Sequence, residues 1–517
     1  MPQAGTCRYY YRVLWVLFCL FVAAAEAASF QIVEATIPEM QAALRSGAIT
    51  SKQLVQLYLE RIDKYDRNGL KLNSIRHLNP RALEIAEEKD RERTAGHAKG
   101  PLFGIPVLLK DNIDTADQPT TAGSVALEGS VPPKDAFLTR RLRDAGAIIL
   151  GKANLTEFAN YIAEGMPAGY SSLGGYVFNP YNPNIAAEGD GRPALSPGGS
   201  SAGPGAAVAA NLAAVSVGTE TSGSILSPSS QNCLAGIKPT VGLISRTGVI
   251  PIAASQDTAG PMARTVTDAA ILLGVLAGVD PEDPATAAAR HKAHHDYAKY
   301  LKKDGLKGAR IGVCRARYWD SLRDDGYQIM QDAIAKMQEL GAEMVEIDIP
   351  GARDLSASKS SVLRYEFKRD LNAYLARLGP AARVHSLAEV IAFNEERKAL
   401  KYGQKLALAS QNTDLEKEKD QYHKDRDADL LLSRKQGIDF VMREYDLDAL
   451  LFPSNFGANI GAKAGYPSVI VPGGFLSNGS PFGIAFTGPA FSEPVLIRLA
   501  YAFEQATKFR RPAQATP

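Results

Sequence analysis

The sequence predicts an α/β fold, organised as a single large domain, and three observations carry that reading. Helical and strand-like stretches alternate along the chain, separated by many Gly and Pro breaks, which is not the pattern of a sandwich. Short apolar runs end abruptly in polar residues, as buried strands do at a sheet edge. No internal repeat and no low-complexity linker divides the chain, so its 517 residues read as one body.

Composition agrees with a large core. The chain is 45% hydrophobic and 22% charged, too apolar for disorder. A net charge of +2, with no basic patch interleaved with aromatics, argues against a nucleic-acid or polyanion partner.

Residues 1–27 read as a signal peptide. Arg8 and Arg12 supply a positive start, residues 13–25 are all apolar, and Ala25, Glu26 and Ala27 form an A-x-A-like cleavage site. That apolar run is shorter than the roughly 20 residues needed to span a bilayer. The expectation is a secreted protein, residues 28–517, with no stable membrane attachment.

Along the mature chain, Thr50 and Gln53 form a capping box that opens an amphipathic helix through Leu54, Leu57, Tyr58 and Ile62. Pro80 starts a charged helix reaching about Arg93. Residues 105–109 make an apolar strand ending at Lys110, and AIILGKAN (residues 147–154) a second strand. Two serine- and glycine-rich loops, SPGGSSAGPG and GTETSGSI, flank a short Ala-rich helix. Residues 285–447 differ in character: after the strand ARIGVCRA come long charged helical stretches, read as a helical insertion that covers the substrate entrance. DALLFPS, YPSVIVPGG and GIAFTGPA return to short buried strands, and SEPVLIRLAYAFEQAT reads as a final amphipathic helix.

Cys7 and Cys19 leave with the signal peptide. Cys233 and Cys314 are too few for a disulfide framework and read as buried thiols. Two N-x-S/T sequons remain. Asn478 sits in a turn-like stretch and is a glycosylation candidate, whereas Asn154 follows a strand directly and reads as buried.

The chemistry concentrates in the two serine loops and Lys110. Glycines around a serine let backbone N–H groups converge on a reacting atom, which suits acyl transfer. None of the seven histidines lies in these motifs, so the base is assigned to Lys110, provided that its apolar approach lowers its pKa. A lysine paired with Asp111 or Asp114 is the alternative. Gly199, Ser201 and Gly203 also match G-x-S-x-G, the nucleophile elbow of α/β-hydrolases, although a proline-broken loop precedes them where a strand is required. No His, Cys or carboxylate cluster has ligand spacing, so neither metal nor cofactor is expected.

Taken together, GIPVLLKDNID, GKANLTEFA, SPGGSSAG, GTETSGSI, CLAGIKPTVGLISRTGVIPI, QDTAGPMARTVTDAA, YPSVIVPGGF and LIRLAYAFEQAT resemble the amidase signature family, over roughly residues 34–275 and 445–507. The resemblance implies a central mixed β-sheet covered by helices on both faces, and a Ser–Ser–Lys triad hydrolysing linear amides. Carried across, Ser224 is the nucleophile, Ser200 the bridging serine after a cis Gly199–Ser200 bond, and Lys110 the base. The amides of Thr221, Ser222, Gly223 and Ser224 form the oxyanion hole. The sequence departs from the usual family pattern at Glu220, Ser222 and Leu226, which leaves two further readings: an esterase using Ser201, or a binding protein without turnover. The wording is most similar to the peptide amidase branch, which removes C-terminal amides from peptides, and Tyr170, Tyr176 and Tyr181 are candidates to line the substrate groove or to anchor loops. The implied partner is a small-molecule or peptide amide. Family members acting on tRNA need cytoplasmic partner subunits, which the signal peptide argues against.

Overall fold

The computed structural model describes residues 30–187 and 189–517. The expected signal peptide, residues 1–27, lies outside them.

One mixed sheet organises the chain. Its strands are β1 (Ile75–Leu78), β2 (Pro106–Lys110), β3 (Ile148–Ala153), β6 (Val215–Glu220), β7 (Ala235–Lys238), β8 (Thr258–Ala263), β9 (Arg310–Cys314), β10 (Glu343–Ile347), β11 (Ala449–Pro453), β12 (Ser468–Phe475) and β13 (Pro481–Thr487). They lie in the order β1-β3-β2-β6-β8-β7-β12-β13-β11-β9-β10. β4 (Tyr170–Ser171) and β5 (Gly175–Tyr176) form a separate small hairpin. Every residue of β2, β3, β6, β7, β8, β11 and β13 is buried, so helices cover both faces of the sheet.

The helices start where their sequences dictate. Thr50 accepts from the Gln53 amide while Gln53 reaches back to the Thr50 N–H, closing the capping box ahead of helix Ser51–Arg61. Helix Ala202–Ala209 is apolar on every side and wholly buried, because its small residues let neighbouring backbone approach closely. Gly203 shows how closely: a Cβ there would lie 2.3 Å from the carbonyl oxygens of Asn154 and Ser74. The C-terminal helix runs from Glu493 to Thr507, as its apolar period predicts.

Several strands escape a pattern reading. Between the two serine loops stands not only the Ala-rich helix but also β6, written VSVGTE, where small residues mask the strand signal. β7 (AGIK) is only four residues long, β8 (TAGPMA) is built from Gly, Ala and Pro, and β1 and β10 sit at the sheet edges. Residues 285–447 are also more than a helical insertion. β9 and β10 pair in parallel with each other, β9 pairs in parallel with β11, and together they complete the sheet. The helices Val362–Leu375 and Leu387–Arg397 instead build a second core with residues 122–127, 158–166 and 250–253.

Asn154 is fully buried, and its side chain meets Leu155 N and Ser171 Oγ, whereas Asn478 is exposed in the turn joining β12 and β13. Cys233 and Cys314 are free and buried. Among the described residues no helix is long and apolar enough to cross a membrane.

Candidate active site

β2 carries Lys110 to its C-terminal end, the edge at which α/β sheets open onto ligand crevices. The side chain is 0% exposed. Parallel pairing of β2 with β6 sets Leu109 beside Val217 and brings Thr219 alongside the lysine. The amine donates to Thr219 Oγ1 at 2.9 Å, to Thr219 O at 3.1 Å and to Ser200 Oγ at 2.8 Å. Burial lowers its pKa to about 7, against the pull of the Glu220 and Asp257 carboxylates. Among the described residues no carboxylate touches it. Asp111 faces Lys152 at 3.6 Å, and Asp114 accepts from the Tyr374 hydroxyl at 2.7 Å, so the alternative pairings of Lys110 are both spent elsewhere.

Ser200 is 1% exposed and follows a cis Gly199–Ser200 bond, as the family resemblance implies. Its carbonyl accepts from Thr156 N at 3.1 Å. Ser201 behaves differently. Its hydroxyl donates to Thr219 O at 3.0 Å and accepts from Thr219 N at 3.3 Å, which stitches it to β6. A loop, not a strand, precedes it, and the elbow reading of G-x-S-x-G fails on both counts.

The loop that carries Ser224 is organised by Glu220, at the end of β6 and 2% exposed. Its carboxylate accepts from Gly223 N at 2.7 Å, Ile225 N at 2.7 Å and Leu226 N at 3.0 Å. Gly223 adopts φ +84°, a left-handed conformation that glycine takes at no steric cost. Ser224 is 7% exposed, and its carbonyl accepts from Ser201 N at 3.2 Å, which sets the two serine loops side by side. The Ser224 Oγ has no hydrogen-bond partner among the described residues. Of the four amides expected in the oxyanion hole, that of Gly223 is therefore turned away onto Glu220. Those of Thr221, Ser222 and Ser224 meet no protein acceptor among the described residues.

Asp257, which the sequence reading passed over, supports the same loop. It accepts from Thr221 Oγ1 at 2.5 Å, Ile252 N at 2.8 Å and Ala253 N at 2.9 Å. Burial raises its pKa to about 7, opposed by those hydrogen bonds. The family departures also acquire physical roles. Glu220 holds three amides, Leu226 fills an apolar cluster with Ala458, Ile470 and Ala485, and Ser222 is the exposed residue of the loop.

The tyrosines divide. Tyr170 and Tyr176 face each other across the β4–β5 hairpin with ring centroids 4.9 Å apart, and Tyr402 stands 5.0 Å from Tyr170. They join the hairpin to the Lys401 segment. Tyr181 is not in a groove. It donates to Arg511 O at 2.5 Å and packs against a cluster containing Val208 and Ile225, so it anchors the C-terminal tail.

The family model named Amidase matches residues 53–462. A probable amidase of Arabidopsis thaliana is 43% identical over 497 residues, covering 94% of this chain and 92% of that protein. The solved structure of the peptide amidase PAM with its competitive inhibitor chymostatin superposes with TM-score 0.88 at 42% identity, covering 94% of this chain and 100% of the other. The native peptide amidase of Stenotrophomonas maltophilia gives TM-score 0.87 at 41% identity, with 94% and 99% covered. The chain thus belongs to the amidase family, enzymes that hydrolyse the carbon–nitrogen bond of amides.

Proposed function

We propose that this enzyme hydrolyses a linear carboxamide through an acyl-serine intermediate, with Lys110, Ser200 and Ser224 as a proton relay. The observation that carries the reading is a fully buried lysine amine, without a carboxylate partner, 2.8 Å from Ser200 Oγ. Once neutral, that amine keeps two N–H groups for Thr219 O and Oγ1 and offers its lone pair to the Ser200 hydroxyl proton. Ser200 in turn accepts the proton of Ser224 after a rotation of the Ser224 side chain, and Ser224 attacks the amide carbonyl. The amides of Thr221, Ser222 and Ser224 receive the developing oxyanion. The amine leaves after protonation through the same relay, and water releases the acid.

The substrate we propose is a peptide C-terminal amide. The likeness to peptide amidase over nearly the whole chain supports it. Secretion after cleavage near Ala27 belongs to the same proposal and rests on the N-terminal residue pattern.

The test is ammonia release from peptide, aryl and fatty amides, coupled to mass spectrometry of the quenched enzyme. An acyl adduct on Ser224 with peptide amides as the best substrates is expected. An adduct on Ser201, or none with any amide, would overturn the mechanism. A clear preference for aryl or fatty amides would overturn the substrate class alone.

A further inference from the structure

A second depression opens on the same edge of the sheet as Lys110. β2 and β6 are parallel, and β6 and β7 each pair antiparallel with β8, so β2, β6 and β7 all run one way. Thr240 and Val241, which follow β7, line a cleft of about 560 Å³ between the core and the helices Val362–Leu375 and Lys419–Leu430.

Charge in this cleft is unbalanced. Its walls carry Arg246, Arg369, Arg426 and Arg434 against a single carboxylate, Glu366. Arg246 is matched by Asp283, with Nε 2.8 Å from Oδ2, and Arg369 by Asp370 at 2.7 Å. Glu366 is 1% exposed and already accepts from Ser255 N at 3.0 Å and the Tyr422 hydroxyl at 2.6 Å. Arg426 and Arg434 have no carboxylate partner among the described residues. Arg426 donates through Nη1 to Lys463 O at 2.8 Å, and Arg434 through Nε and Nη2 to Ala464 O at 2.8 and 2.5 Å. Those bonds cap the end of helix Ala458–Ala464 and leave the other guanidinium N–H groups unused. Burial pulls Arg426 below its usual range; the Glu366 and Asp429 carboxylates oppose that shift, and Arg434 beside it adds to it.

The walls are also aromatic. Tyr365 and Tyr422 stack at 4.3 Å with the Arg369 guanidinium over them, and Arg434 lies 4.9 Å from the Tyr466 ring centroid. Rings held against guanidinium planes fix the forks in place, which suits them to grip the paired oxygens of a carboxylate or phosphate group.

We propose that this cleft binds a small oxyanion, a carboxylate or phosphate group, between Arg426, Arg434 and Arg369. Arg426 and Arg434 stand close together with no carboxylate in direct contact, and Glu366 and Asp429 offset their charge only from a distance, so a ligand oxyanion between the two forks would relieve the remaining repulsion. The cleft wall is tied to the segment leading to Asp257: Glu366 and Asp370 hold the amides of Ser255 and Ala254, and Asp257 in turn accepts from Thr221.

The experiment is calorimetric titration and thermal unfolding of the full chain with inorganic phosphate and with succinate, each against sodium chloride at matched ionic strength. Saturable binding and a concentration-dependent rise in Tm are expected. Arg426→Gln and Arg369→Gln should each weaken binding at least tenfold, while Arg426→Lys, which keeps the charge but loses the fork, should retain part of it. If Arg426→Gln fails to fold, Arg369→Gln and Arg426→Lys carry the comparison. A Tm response no larger than that of sodium chloride, or variants that bind like the parent, would overturn the proposal. Repeating the titration in Ser224→Ala separates it from the reading of catalysis, since no turnover is involved. A second arm asks where the anion comes from. Should Glu-containing peptide amides show a lower KM than their Gln counterparts, and lose that advantage in Arg426→Gln, the substrate supplies the carboxylate. Equal KM values together with phosphate binding identify a free ligand.

Discussion

Lys110 and Lys152 occupy adjacent parallel strands, β2 and β3, and neither exposes any surface to solvent. They sit one step out of register: Lys152 pairs with Leu109, and Lys110 with Ala153. One step along a strand turns a side chain to the opposite face, so the two amines leave the sheet on different sides. Burial lowers both pKa values. Lys152 then meets Asp111 at 3.6 Å, Thr120 Oγ1 at 2.7 Å and Pro119 O at 3.1 Å. Lys110 meets only neutral oxygens. The lesson is that enclosure alone does not make a base. A carboxylate beside a buried amine favours its charged form, whereas an amine at the same depth without one is free to exchange its proton near neutral pH.

That contrast can be broken at several points. Ser224→Ala should lower amide hydrolysis by about 10⁴- to 10⁶-fold, read as ammonia release, with circular dichroism unchanged. Lys110→Met should cost about 10³-fold or more by the same assay. Lys152→Met should act on the other axis. It strands Asp111 in the core and should remove roughly 3 kcal/mol of stability in urea unfolding, while turnover per folded molecule stays within a few-fold.

The pH profile sharpens the comparison. A lysine whose pKa is lowered to about 7 is protonated, and useless as a base, below that value. Thus kcat/KM should fall with unit slope as pH drops through about 7 and level off above it. Asp257 is held near the same value, so a profile that keeps its limb in Asp257→Asn assigns the limb to Lys110. Ser201→Ala should cost about 1–2 kcal/mol through its lost Thr219 contacts and leave most activity intact, which an elbow nucleophile would not allow. Tyr176→Phe removes a hydroxyl that meets Tyr402 away from the triad, and should change stability by less than about 0.5 kcal/mol and KM hardly at all.

Much of the site was legible because its chemistry is written in short local runs. The apolar strand before Lys110, and the serines set among glycines, announce an acyl-transfer centre before any contact is known. The Gly223 amide was misassigned because its partner, Glu220, looked like a change of charge and not like a brace for three amides. Asp257 was invisible because nothing local distinguishes a carboxylate that will reach across to Thr221. β8 escapes for a related reason: buried on both faces, it is written TAGPMA, so neither alternation nor β-branching marks it, while the short VSVGTE of β6 runs straight into the second serine loop. Tyr181 shows the converse, an aromatic in a suggestive stretch whose hydroxyl ends on the C-terminal tail.

The stitching of residues 250–257 to helix Val362–Leu375 has a practical consequence for redesign. Glu366 and Asp370 each take a main-chain amide of that loop, and Tyr374 reaches back to Asp114. A graft that swaps this helix for one from a cousin with other tastes will therefore disturb turnover as well as selectivity, unless the three anchoring side chains travel with it.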